Sequence, residues 1–496
     1  MQKETKISFF VSFFLSSQKY NVMHMDKVTL LGCLYWIYCI VAIVLMVRVV
    51  LNNRDTVKTF AWMLVLIFLP FFGLVLYFFF GRDTRKTKMI GKRLLSQIQR
   101  GHLNGLLNDK VDVPNEYSSL VSFFENTSSA QLLPASDVEI ISDTRDFSER
   151  LLRELGNARE HIHIQFYILE NDEFGQKVRD VLVEKAGQGV EVRLMYDSVG
   201  CWNVNKKFYE EMRYAGIYVE SFLKVRFPLF TNKVNYRNHR KVVVVDGRVG
   251  FVGGCNVADR YLNGVNGGIW RDTMLVMHGA AVNGLQTSFL VDWYFANRSL
   301  VSGKRYFPNE SGGQGPLVQV VQSNPVGEVR SILGGYVKLL SKAKGYVYLQ
   351  TPYFMPSESF LQAIRNAAMS GVDVRLMIPE RADSRVADLM SMSYLGSLLS
   401  AGVKVYLYSG GFLHSKTLVC DDDVSSIGSA NLDFRSFYYN FEVNAFVYDK
   451  SVAQDMKAVF LEDQKQCRQL TLNEYASRPF SHRCMESVAR LFSPLL

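Results

Sequence analysis

Two long stretches of the chain carry no charged residue. Residues 28–47 and residues 59–80 each reach the roughly 20 apolar residues a helix needs to cross a bilayer. Two such runs so close together predict a pair of spanning helices rather than buried core helices. Pro70 falls inside the second run and predicts a kink there. Trp36, Trp62 and Tyr77 are of the type that settles at a membrane interface. A shorter apolar segment, residues 7–15, is too brief to span and lacks a small-residue cleavage site, which argues against a removed signal peptide; Met23 and Met25 are alternative starts. Residues 1–27 are expected to be disordered.

From about Leu133 the pattern changes to short β-branched runs alternating with helix-like stretches, which predicts an α/β fold with a mainly parallel mixed sheet flanked by helices. The pattern occurs twice. Gly189-Val190-Glu191-Val192-Arg193-Leu194-Met195 is answered by Gly371-Val372-Asp373-Val374-Arg375-Leu376-Met377, and His161-Ile162-His163-Ile164-Gln165 by Tyr346-Val347-Tyr348-Leu349-Gln350. An internal duplication explains this most economically. The implied organisation is a membrane segment over 28–80, a basic linker over 81–132, a first half over 133–300, a Gly/Ser/Pro-rich linker over 301–316, and a second half over 317–496 related to the first by a pseudo-twofold axis.

Charge sharpens the membrane reading. Of the net +9, much is concentrated after the second apolar run, where Arg82, Arg85, Lys86, Lys88, Lys92 and Arg93 face only Asp83. By the positive-inside rule everything downstream lies in the cytosol of a multi-pass protein, although Arg48, Arg54 and Lys58 in the connector make the asymmetry modest. A basic cluster beside the membrane, rather than along a groove interleaved with aromatics, speaks against nucleic acid as partner. The seven cysteines are scattered with no Cys-x-x-Cys pair, which excludes a zinc knot or disulfide framework and suits a reducing compartment.

The duplication delivers one reactive pattern twice. His239-x-Lys241 is followed by Asp246, and His414-x-Lys416 by Asp421, both as His-x-Lys-x-x-x-x-Asp; Asn256 follows His239 by 17 positions and Asn431 follows His414 by 17. Residues two apart on a strand share a face, so each His-Lys pair can address one ligand. Two ammonium groups and two amides around one point suit a phosphodiester, whose charge they would stabilise as it grows at five-coordinate phosphorus, without a metal or other cofactor. One imidazole can attack phosphorus while the other protonates the departing alkoxide and then deprotonates the incoming alcohol. Glu442 is a candidate to orient a histidine, and Asp272 is its candidate counterpart despite a different offset from the Asn. As residue types, Asp246 and Asp421 suit closing the turn at a strand end. His161 and His163 alternate in an apolar strand and read as packed; His24, His102, His278 and His482 stand in no register.

With these residues in place the chain resembles the phospholipase D superfamily, whose double signature would make His239, Lys241, Asp246, His414, Lys416 and Asp421 catalytic, with Asn256 and Asn431 binding phosphate. Within it the wording is similar to bacterial cardiolipin synthases: Tyr236-Arg237-Asn238-His239-Arg240-Lys241, Trp270-Arg271-Asp272, Thr351-Pro352-Tyr353-Phe354, Gly411-Phe412-Leu413-His414 and Asn431-Leu432-Asp433-Phe434-Arg435-Ser436. Arg260 stands where that family would have an acid, and Ser415 replaces the usual Ala between His and Lys. The resemblance implies transfer between two phosphatidylglycerol molecules in the cell membrane, giving cardiolipin and glycerol through a phosphohistidine. Superfamily precedent makes His239 the nucleophile and His414 the acid and base, roles that sequence symmetry leaves interchangeable. Residues 485–496 read either as a segment lying amphipathically at the membrane interface or as a plain packing helix. Water or another alcohol as acceptor, and an inactive membrane scaffold, are the competing readings; oligomeric state is left open.

Overall fold

The computed structural model describes residues 27–52, 56–69, 71–78, 116–224, 235–264, 268–308, 315–327 and 329–493. The N-terminal segment to residue 26, Pro70, the basic stretch from Arg82 to Arg93, most of the 81–132 linker and residues 494–496 lie outside them. The chain divides into two units, Met1–Asp83 and Thr84–Leu496.

In the first unit a helix covers Lys27–Asn52. Its apolar portion, Leu30–Leu51, is long enough to cross a membrane. The second apolar run behaves differently from the expectation of a second spanning helix. It is divided into a 13-residue helix, Thr56–Phe68, and a 5-residue helix, Phe72–Leu76. At 1.5 Å per residue the longer piece reaches only about 20 Å, short of the roughly 30 Å hydrocarbon core. The physical reason is the proline: it has no N–H to continue the helix and disfavours helical geometry at Leu69 before it, while Phe71 after it takes a positive φ of 63°. Val49, Leu66 and Tyr77 pack together, so the pieces fold back on the long helix.

In the second unit two sheets carry the duplication. The first orders its strands Asp137–Ile141, Met274–His278, Val249–Gly253, Val242–Val245, His161–Phe166, Glu191–Asp197 and Tyr218–Phe222. The second repeats that order with Leu317–Ser323, Glu442–Tyr448, Val424–Gly428, Thr417–Cys420, Tyr346–Gln350, Asp373–Pro379 and Lys404–Tyr408. It adds Leu132–Pro134 at one edge and Cys467–Leu470 at the other. The strand Leu132–Pro134 stands at the start of the first half in sequence yet belongs to the second sheet. The sheets are mixed but not mainly parallel as the alternating pattern suggests. In each, only two pairings are parallel, between the three strands joined by long helices. Strands joined by a tight turn must run antiparallel, as Val242–Val245 and Val249–Gly253 do.

The run Val242–Val245 is buried on both faces. Val243 and Val245 join the core under the helices of the first half, while Val242 and Val244 enter a core shared with Val320, Val419, Val443 and Ala445 of the second. Burying each such side chain contributes roughly 1.5–3 kcal/mol. This shared core holds the strand ends that bear the two signatures against each other.

Candidate active site

Each signature lies where its half is stitched to the other. Asn238 bridges to Phe441, and the His239 N–H donates to the Phe441 carbonyl at 3.0 Å. In the same way Gly411–Leu413 pairs in parallel with Ile269–Arg271, and the His414 N–H donates to the Arg271 carbonyl at 2.7 Å. The residue after each of these acceptors is a carboxylate. Asp272 Oδ2 accepts from His414 Nδ1 at 2.6 Å, and Glu442 accepts from His239 Nδ1 at 3.1 Å. Each histidine is therefore oriented by the opposite half.

Sheet register settles the equivalence of these carboxylates, which the sequence offsets obscure. Gly253 pairs with Met274 and Gly428 with Asn444, so Asp272 and Glu442 stand at the same position two residues earlier. Because Nδ1 serves the carboxylate in both rings, Nε2 is the nitrogen available to a substrate. Lys416 Nζ also lies 2.8 Å from His414 Nδ1. The nearer, anionic Asp272 takes the ring proton, and the ammonium donates to the His414 carbonyl. Lys241 likewise donates to the His239 carbonyl at 2.7 Å.

The electrostatics suit the binding of an anion. Burial lowers both lysines, Lys241 to about 7 and Lys416 to about 8, against the attraction of Glu442 and Asp272. Burial and the adjacent Lys416 hold His414 down at about 3, and burial with Lys241 lowers His239 against the pull of Glu442. Burial pushes the carboxyls of Glu442 and Asp272 up, but the neighbouring histidines and lysines outweigh it and keep both below the usual range. Neutral lysine binds an anion poorly, so kcat/KM should fall as pH rises through about 7 to 8. A bound phosphodiester holds the lysine protons, so the alkaline limb of kcat should lie at higher pH than that of kcat/KM, which paired pH profiles would check.

Asn256 and Asn431 are buried beside the signatures but are bonded differently. Asn256 accepts from the Ile168 N–H at 3.0 Å and donates to Tyr261. Asn431 donates to Asp433 at 3.0 Å, and its Oδ1 is buried without a partner. The remaining signature residues, Asp246 and Asp421, are not brought to the histidines. Each follows the far end of its strand, beyond residues that advance about 3.3 Å apiece. Asp246 accepts the N–H groups of Arg159, Glu160 and His161, each at 2.8 Å, and Asp421 those of Lys344, Gly345 and Tyr346 at 2.7 to 2.8 Å. A catalytic contact is thereby corrected to a structural one, because both oxygens are committed to backbone donors. Asp246→Ala should cost about 3 kcal/mol by orphaning those donors. Thermal unfolding would show the lowered Tm, with kcat of the folded fraction retained.

Other residues come into view only in three dimensions. Ser429 donates to Glu442 at 2.5 Å, and the Asn440 amide donates to the same carboxylate at 3.0 Å; Tyr167 meets the His239 ring edge-on at 5.0 Å. Ser429 stands two residues before Asn431 in the sequence, whereas nothing in the spacing marks Tyr167. Arg260 pairs with Glu170 at 2.8 Å, which balances its charge. Ser415 is not idle: its hydroxyl lies 3.0 Å from Thr273 Oγ1. His161 and His163 are buried together with Gln286 between them, and burial lowers both, that of His161 to about 4.

The two half-sites differ in their surroundings. Trp270, Phe412 and Tyr261 approach the His414 ring at 5.0, 5.7 and 6.0 Å. By the register of the repeat their counterparts around His239 are Asn440, Arg237 and Ser436, all polar.

Comparison with known proteins agrees with this geometry. Residues 151–293 and 336–464 match the cardiolipin synthase, PLD-like domain, and residues 35–82 match the phospholipase D-nuclease N-terminal domain. The chain is 41% identical over 462 residues to the major cardiolipin synthase ClsA of Bacillus subtilis (strain 168), covering 90% of this chain and 95% of that one. It is 40% identical over 458 residues to a cardiolipin synthase of Staphylococcus aureus (strain Mu50 / ATCC 700699), covering 90% and 93%. In fold it is similar to the phosphatidylserine synthase of Haemophilus influenzae Rd KW20, with a TM-score of 0.58 and 14% identity over 77% of this chain and 100% of that one. On sequence, fold and the paired histidines alike, the chain belongs to the cardiolipin synthase family of phospholipase D-like proteins.

Proposed function

We propose that this protein transfers a phosphatidyl group from one phosphatidylglycerol to a hydroxyl of a second, giving cardiolipin and glycerol. The observation that carries the mechanism is the crossed arrangement in which Glu442 orients His239 and Asp272 orients His414. His239 Nε2 attacks phosphorus; the bond from phosphorus to the glycerol oxygen breaks, and His414 supplies the proton that oxygen needs. The second lipid then gives its hydroxyl proton to His414 as its oxygen attacks, and the phosphorus–nitrogen bond breaks to restore His239. Lys241 and Lys416, once protonated by the arrival of the anion, stabilise the five-coordinate phosphorus, with Asn256 and Asn431 completing the phosphate site. Burial and the charge of Lys416 keep His414 neutral, and the same anion offsets the second of these, so binding prepares the acid.

No ATP is required, since one phosphodiester replaces another. The helix Lys27–Asn52 holds the enzyme in the membrane where both lipids reside. The basic stretch that follows the second apolar run supports a cytoplasmic catalytic unit by the positive-inside rule. The deciding measurement is the product spectrum in phosphatidylglycerol vesicles, by mass spectrometry. Cardiolipin and glycerol in equal amounts support the transferase; phosphatidic acid without cardiolipin would make water the acceptor and overturn it.

A further inference from the structure

The last helix, Phe480–Arg490, is built inside out for a helix packed on a soluble domain. Its inward positions are small or polar: Glu486 is buried and paired with Arg478, Ala489 is half-buried, and Ser493 just beyond the helix is buried. Its outward positions are large and apolar. Phe480, Val488 and Leu491 are 78%, 57% and 76% exposed, and with the exposed Cys484 they recur at the spacing of one helical face. Met485 and Phe492 flank this stripe. A water-facing helix normally shows the opposite arrangement, since each exposed apolar side chain forgoes its transfer free energy.

Charge narrows what could cover such a surface. His482, Arg483 and Arg490 are exposed alongside the stripe, and the one acidic residue of the helix, Glu486, is turned inward and neutralised. The guanidinium of Arg490 also lies 4.4 Å from the Tyr394 ring, which fixes that edge of the helix on Arg385–Ser400. An apolar strip bordered by cations and free of exposed acid complements a bilayer of anionic lipid. We propose that Phe480–Arg490 is a membrane-docking helix that inserts the Phe480, Cys484, Val488 and Leu491 stripe among anionic headgroups, as a lipid contact separate from the N-terminal helix. The proposal rests on the phosphatidylglycerol reading only in the choice of substrate for one arm of its test.

The test uses the full-length protein with Cys33→Ser, labelled at Cys484 with an environment-sensitive fluorophore, in phosphatidylcholine vesicles with and without phosphatidylglycerol. A blue-shifted probe, quenched by brominated acyl chains when phosphatidylglycerol is present, is the expected result. A water-like spectrum in both vesicles overturns the proposal, as does a shift that follows protein concentration rather than lipid, which would assign the stripe to a second copy or another protein. In unlabelled protein, Val488→Glu with Leu491→Glu should lower cardiolipin formation on vesicles by about tenfold or more. Turnover of short-chain phosphatidylglycerol dispersed as monomers should stay within about twofold. Equal loss on both substrates, or loss on neither, overturns it. Wild-type protein that makes no cardiolipin from either substrate would sink the functional reading while leaving the probe result to stand or fall alone.

Discussion

Replacing either His239 or His414 with alanine should abolish phosphatidyl transfer, by at least about 10⁴-fold, in protein that still folds and still enters the membrane. Both rings pack against the opposite half, but the shared core of valines and alanines does not depend on them, so the loss should be chemical. The two variants should then part company on a substrate that needs no general acid. With a phosphodiester bearing a nitrophenolate leaving group, His414→Ala should release one equivalent of nitrophenol and stall as a phosphohistidine on His239. His239→Ala should release none. Rapid quench followed by peptide mapping would locate the phosphorus, and its appearance on His414 would reverse the two roles. Activity retained by either variant would sink the two-histidine mechanism outright.

A second large effect is expected at a glycine. Gly254 occupies the place in the first half that Ser429 holds in the second, and a Cβ there would stand 2.0 Å from Asp272 Oδ1 and 2.7 Å from both Asp272 Cγ and Oδ2. Aspartate is one methylene shorter than Glu442, so its carboxylate fills the volume that the serine side chain takes in the other half. That carboxylate has little freedom to move aside, being held by His414 at 2.6 Å and by the Thr273 N–H at 2.8 Å. Gly254→Ser should therefore displace Asp272 and deprive His414 of its orienting partner. The expected fall in kcat is about a hundredfold or more, with KM little changed, because Lys241 and Lys416, the proposed phosphate ligands, are not displaced. Adding Asp272→Glu recreates the second half's combination of serine and glutamate, and partial recovery of kcat in the double variant would tie the loss to this contact. A single variant with normal kcat would show that the close approach is not needed.

Much of this architecture was legible in the chain. The paired segments around Val192 and Val374 announced two halves, and the sheets repeat one strand order. The valine run after Lys241, which no polar residue interrupts, forms a strand buried on both faces. Strand direction was misread, since helical stretches between strands suggest parallel crossovers, while the tight turn at Asp246-Gly247-Arg248, which forbids one, occupies only a few residues. The break near Pro70 was visible as a proline, but whether a proline bends a helix or ends it depends on the packing that restores its missing hydrogen bond. Ser429, Asn440 and Tyr167 escaped for a different reason. They reach the histidines through contacts between segments far apart in sequence, and pattern along one segment carries no record of those.

The exchange of carboxylates between halves bears on why such a site would be encoded in one chain. Two identical copies of a single half could assemble the same crossed contacts through an isologous interface, but every substitution would then appear on both sides of the axis at once. Joined in tandem, the copies are free to drift apart. Trp270, Phe412 and Tyr261 gather near one histidine, where the register of the repeat gives the other half Asn440, Arg237 and Ser436. A reaction that must tell the group it hands over from the group that receives it needs an asymmetric site, and tandem fusion permits that asymmetry while leaving each half unable to work alone.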